Sequence, residues 1–272
     1  MKTLEHQTIL YDENCPLCQA YTSTFVKIGM LDQNGRKPYC NIDETETDFI
    51  DIERAANEIA LVDYKTKTVR YGIESLLTII GHSFPFVAKI GHLKPINYGL
   101  KKLYSFISYN RKVIMPSPVQ EPQTLKCEPT FNFTYRYIYL FFAVIVTTLV
   151  LFECSKLLPQ LPQSSITREF LLASGQIIFQ SVFLMQSDSK KRLNYLGNMM
   201  TVSLFGSLLL LPIIIASKFI TLSSWLVLAW FGITVLLMLK EHLRRIKLLQ
   251  LPVYLTATWV LYRMLALLII LN

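Results

Sequence analysis

Between residues 136 and 272, five apolar stretches follow one another with only short polar connections, and no other feature of the chain restricts its fold as much. They run from about Tyr137 to Leu157, Phe170 to Gln186, Leu196 to Ser217, Phe219 to Leu239, and Leu251 to Leu271. A helical membrane span requires roughly 17 to 25 residues, so all five qualify, the second being the shortest and most polar. Buried helices of a soluble core do not fit, because five such segments in this half leave too little polar surface to enclose them. The whole chain is 52% hydrophobic with a mean hydropathy of +0.36, too apolar for an ordinary soluble domain of 272 residues.

Charge divides the chain in the same place. Residues 1–115 carry 14 Lys/Arg against 13 Asp/Glu, whereas residues 116–272 carry 13 against 6, so most of the +8 net charge lies in the apolar half. These cations stand between apolar segments, where lipid headgroups would meet them. No basic stripe interleaved with aromatics points to nucleic acid. One set of connections holds Lys126, Arg136, Lys190, Lys191, Arg192, Lys240, Arg244, Arg245 and Lys247; the other holds Lys156, Arg168 and Lys218. Under the positive-inside rule this predicts a multi-pass cell-membrane protein with its N-terminal domain in the cytoplasm and its C-terminus outside. The opening MKTLEHQTILYDEN lacks the continuous apolar core of a signal peptide.

Within the first half, TILYDENCPLC sets Cys15 and Cys18 two residues apart after a short apolar run. In a reducing compartment a C-x-x-C is catalytic or metal-binding more often than a structural disulfide. Thr8 to Tyr11 reads as a buried strand. Pro16, followed by Leu17, Tyr21, Phe25 and Ile28, predicts a helix that starts at the motif and puts Cys15 at its N-terminus. Further strands are expected at Lys37 to Ile42, Ile59 to Asp63 and Thr68 to Tyr71, the last two joined as a hairpin around Tyr64 to Lys67. Helices are expected from about Asp48 to Glu58 and from Ile73 onward.

This βαβα-ββα order, with C-x-x-C after the first strand, is the thioredoxin-like layout. The unpaired N–H groups and partial positive charge of a helix N-terminus stabilise a thiolate, so Cys15 is expected to be the more acidic and more exposed thiol. Cys18, one turn along, is expected to resolve a mixed disulfide.

Asp12, Cys15 and Cys18 form D-x-x-C-x-x-C, and the chain here resembles the DCC family of predicted thiol-disulfide oxidoreductases. Tyr71-Gly72-Ile73-Glu74-Ser75-Leu76 is similar to the family's G-x-x-A/S-Leu segment. Leu103-Tyr104 through Asn110-Arg111 is similar to its closing Tyr…Asn-Arg stretch. The resemblance covers roughly residues 7 to 115 and implies a thioredoxin-like fold with dithiol activity. Unlike thioredoxin, the chain has no proline just before the third strand, where Ala55 to Ala60 reads AANEIA. That departure makes a small thiol or one dedicated partner as suitable a substrate as polypeptides in general.

Each candidate residue has a plainer reading. Cys15 and Cys18 could bind a metal or be remnants of an inactive fold; a structural zinc site would need four ligands, and no second C-x-x-C or H-x-x-x-H exists. Cys40, His82 and His92 could complete a site only by unpatterned convergence. Asp12 is either a proton acceptor for the buried thiol or a turn cap. Cys40 reads as a small buried hydrophobe. Arg111 would bind an anion or, as its place beside the linker favours, close the domain through a carboxylate. Cys127, in the proline-rich MPSPVQEPQTLKCEP, is incidental or an acylation site. In the membrane half, Arg263 is the only mid-span charge, Glu153 lies near the outer end of the first span, and Gln176 and Gln180 lie one turn apart.

The expected architecture is an α/β thioredoxin-like domain at 1–115, a proline-rich linker at 116–135 and an all-α membrane domain of about five transmembrane helices at 136–272. The expected function is that of a membrane-tethered thiol-disulfide oxidoreductase. Cys15 attacks, Cys18 resolves and Asp12 assists proton movement on a thiol or disulfide substrate, protein or small molecule. The redox-active dithiol itself serves, with no further cofactor or metal. The alternatives are a non-enzymatic membrane scaffold or transporter accessory with a thioredoxin-like binding domain, and a metal-binding module.

Overall fold

The computed structural model describes residues 2–42, 48–118, 129–159 and 161–271. The chain divides into two compact units, Met1–Tyr135 and Arg136–Asn272.

Unit 1 is built on four strands, β1 (Gln7–Tyr11), β2 (Arg36–Pro38), β3 (Ala60–Asp63) and β4 (Thr68–Tyr71), in the order β2-β1-β3-β4. β2 runs parallel to β1, while β3 is antiparallel to both β1 and β4. Helix α1 (Pro16–Lys27) links β1 to β2 and α2 (Ile52–Asn57) precedes β3. After β4 come α3 (Ile73–Ser83), α4 (Pro85–Gly91) and α5 (Lys94–Ile114).

The side-chain alternation of a strand explains the layering. Ile9 and Leu61 face one side, joining Leu4, Met30, Leu31, Ile59 and Ile79, with Tyr21, Phe25, Leu76 and Tyr104 packed against them. Leu10, Ala60 and Val62 face the other, against Tyr39, Ile50, Ala55 and Ala56. Helices α1, α3 and α5 therefore cover one face and α2 the other. The two central strands are buried on both sides, and each fully buried Ile or Leu contributes about 1.5–3 kcal/mol relative to exposure.

Two elements differ from expectation. The second strand stops at Pro38 and gives way to a 3-10 turn, Tyr39–Asn41. Proline at φ −58° supplies no N–H to continue the ladder. The helix expected from Asp48 starts at Ile52, because Asp51 is its cap and accepts from Arg54 N at 2.9 Å. The hairpin lies where predicted: Asp63 Oδ1 accepts from Lys65 N at 2.9 Å and Thr66 N at 3.2 Å, and Lys67 takes φ +52°. The described part of the linker, 116–118 and 129–132, contains no helix or strand before α6 begins at Phe133. Tyr135 stacks on Tyr109 at 5.0 Å, and Thr130 N donates to Asn57 Oδ1 at 2.9 Å, so the end of the linker packs onto unit 1.

The remaining helices are α6 (Phe133–Ser155), α7 (Ile166–Val182), α8 (Ser189–Ala216), α9 (Ser224–Leu248) and α10 (Tyr254–Leu271). Four of them, α6, α8, α9 and α10, are long and apolar enough to cross a membrane, with mean hydropathies of 2.2, 2.3, 1.6 and 1.8. The fifth expected span, α7, has 17 residues and is not among those four. At 1.5 Å per residue it covers about 25 Å, short of a hydrocarbon core of about 30 Å. Val150, Cys154, Leu210, Ile213 and Val227 pack inside this unit, while Phe141, Leu208, Trp225 and Leu236 are exposed on it. An apolar exterior of this kind is what a bilayer solvates.

Candidate functional site

The end of β1 delivers Asp12 to a turn whose hydrogen bonds are local. Asp12 Oδ1 accepts from Asn14 N at 3.0 Å and its carbonyl from Cys15 N at 3.2 Å. Cys15, in extended conformation, is the N-cap of α1, and Pro16 takes the first turn, where no N–H is needed. The Cys15 Sγ accepts from Cys18 N at 3.2 Å, so a thiol stands where a hydroxyl or carboxylate oxygen usually caps.

Cys15 and Cys18 are both free thiols. Their acidities are split. A hydrogen bond from the Cys18 thiol lowers the Cys15 pKa below the ordinary thiol value, with further help from the Arg111 charge and the Cys18 backbone N–H, against the opposing effect of burial. Cys18 moves far in the other direction, because it donates that bond and is buried. The arrangement suits one thiolate that attacks and one protonated thiol that follows. The expected difference in exposure is absent: Cys15 is 2% exposed and Cys18 3%. Capping turns the Cys15 sulfur inward over the first turn of α1 instead of out to solvent.

Asp12 is held by Arg111. Arg111 Nη2 donates to Asp12 Oδ2 at 2.9 Å and to Ala56 O at 2.8 Å, while Nη1 donates to Asn57 O at 3.2 Å. The guanidinium thus closes the C-terminal end of α2 and neutralises a buried carboxylate, the structural role expected of Arg111. Its charge also favours the thiolate of both cysteines.

Comparison with family models, curated proteins and solved structures finds no match. The chemistry of the site is therefore read from its own geometry.

Two tyrosines beside the dithiol were not among the sequence candidates. Burial raises the Tyr21 hydroxyl well above its usual pKa, with the Cys18 charge and a hydrogen bond to that thiol adding to it. Tyr104 is likewise raised by burial, and its hydroxyl accepts from Ile59 N at 2.9 Å, just before β3. The signal for the second was available: Tyr104, Ser108 and Arg111 recur at helical spacing on α5, and all three reach the segment Ala56–Ile59.

The other candidates lie apart. Cys40 is half-buried and packs beside the second core cluster. Cys127 lies outside the described residues. His82 Nε2 meets Thr3 O at 3.1 Å, and His92 Nδ1 lies 3.6 Å from Glu74. Among the described residues no three His, Cys, Asp or Glu side chains are grouped to hold a metal ion. In unit 2, Glu153 pairs with Lys156 at 2.6 Å. Gln180 Oε1 accepts from Tyr195 and Thr258, both at 3.1 Å. Helix α9 continues past the expected span end at Leu239, so Arg245, assigned by its sequence position to a connection, lies buried on it, as does His242.

Proposed function

We propose that the protein is a membrane-tethered thiol-disulfide oxidoreductase of the DCC type with a thioredoxin-like domain. The observation that carries this reading is the placement of two free thiols on one helix turn, with Cys15 as the cap of α1 and its sulfur 3.2 Å from Cys18 N, an arrangement that lowers the Cys15 pKa and raises that of Cys18. The strand order β2-β1-β3-β4, with β3 antiparallel to its neighbours and the dithiol at the start of α1, supports the thioredoxin-like assignment. In the reducing direction the Cys15 thiolate attacks a substrate disulfide, forming a mixed disulfide and releasing one substrate thiolate. Cys18 loses its proton and attacks the Cys15 sulfur; the second substrate thiolate leaves, and the Cys15–Cys18 disulfide holds the two-electron oxidation. Asp12, paired with Arg111, takes the Cys18 proton only if that pair loosens in the mixed disulfide. The burial of both sulfurs favours a small thiol or one dedicated partner.

In this reading the N-terminal domain is cytoplasmic, α7 crosses as a short fifth span, and the C-terminus is outside. Redox titration tests the activity: the full chain is equilibrated with thiol-disulfide buffers and its free cysteines are alkylated and weighed. Cys15 and Cys18 should be lost and regained together, at one potential, and Cys15→Ser should abolish the transition. The same burial also favours a second reading, a binding-only domain on a membrane scaffold. Under that reading neither thiol responds to the buffer.

A further inference from the structure

A cavity of about 340 Å³ lies within unit 2, inside the range of about 300–1,000 Å³ typical of small-molecule sites. Its wall is largely apolar, with Met200, Leu210 and Phe231 among the contributors, but Thr147, Gln176, Ser203, Trp259 and Arg263 also line it. Gln176 and Trp259 are each 2% exposed. The Gln176 Nε2, the Trp259 Nε1 and the Arg263 Nε are all buried without a hydrogen-bond partner among the described residues.

These three atoms share one property: each carries N–H and cannot accept. Their complement is an acceptor-rich group, and the charge decides which kind. Arg263 Nη2 reaches Ser203 Oγ at 3.4 Å, and its guanidinium lies 5.0 Å from the centre of the Trp259 ring. Glu169, the acid on the cavity wall, already receives Arg168 and Ser164 on Oε1. Among the described residues no carboxylate pairs with Arg263, and a buried cation in an apolar bundle is a functional-site candidate by default.

We infer that this cavity binds a single-chain amphiphile with a carboxylate head. The head accepts from Arg263, Gln176 and Trp259, and the tail lies along the apolar wall. A neutral quinone would satisfy the donors and leave the cation uncompensated. The inference stands apart from the dithiol chemistry, which resides in unit 1.

Native mass spectrometry of the full chain released from detergent, with dodecanoate as the probe, tests it. One dodecanoate should bind per chain, and dodecanol, with the same tail, should bind at least tenfold more weakly. Arg263→Gln and Gln176→Leu should each weaken dodecanoate at least tenfold and weaken dodecanol, whose hydroxyl accepts but carries no charge, by a smaller factor. Equal binding of the acid and the alcohol overturns the inference, as does saturation by a short-chain quinone but not by dodecanoate. The acid–alcohol comparison on the unaltered chain decides the matter even if a variant fails to insert.

Discussion

Arg111 Nη2 stands 2.9 Å from Asp12 Oδ2, a buried ion pair between residues 99 positions apart that lies beside the Cys15–Cys18 turn. Its two members act on Cys15 in opposite senses: the guanidinium lowers the thiol pKa and the carboxylate raises it.

Arg111→Gln should therefore shift the alkylation midpoint of Cys15 to higher pH, and Asp12→Asn should shift it to lower pH. The sign follows from the thiolate: a nearby cation stabilises it and a nearby anion does not. In the unaltered chain the midpoint should lie below that of an ordinary free cysteine. Rates of iodoacetamide labelling across pH, read at Cys15 by peptide mass, check this. A shift in the same direction for both variants would show that the pair acts only through packing.

Stability should report the pair as a unit. Removing either member strands a buried charge, at a cost of about 3–5 kcal/mol. Asp12→Asn combined with Arg111→Gln should cost clearly less than the two single changes added together. Denaturant unfolding of the full chain in detergent, followed by a signal from unit 1, gives the cycle; strict additivity would contradict it.

The strand and helix that carry the dithiol were legible because Ile9 and Leu10 lie in a short apolar run and Pro16 marks a helix start. The Asp12–Arg111 contact was not, since no local pattern links positions that far apart. Burial of the thiols was equally hidden, because capping depends on where the sulfur turns and not on spacing. Pro38 and Asp51 could have corrected the second strand and second helix, as each carries a local backbone reason to stop or start an element. In the membrane half, apolarity revealed the helices but not their ends: α9 runs on through Lys240 to Leu248, since charge ends a hydropathic stretch without ending a helix.

Cys154 is the one cysteine of residues 136–272 and has no second thiol there with which to relay electrons. Cys154→Ala should leave Cys15–Cys18 turnover within twofold of the unaltered chain. Loss of turnover with insertion intact would require a membrane relay.

Span number is decided by α7. With five spans, a reporter fused after Asn272 is active only if suited to the side opposite the N-terminus. With the four membrane-length helices alone crossing, the same reporter is active on the N-terminal side.

The most direct measurement of the central claim is capture by a Cys18→Ser variant of the full chain expressed in cells. Without its resolving thiol, Cys15 should accumulate as a mixed disulfide that thiol reductants release and that disappears in the Cys15→Ser/Cys18→Ser variant. No adduct from Cys18→Ser, or the same adduct when Cys15 is also replaced, would contradict the account.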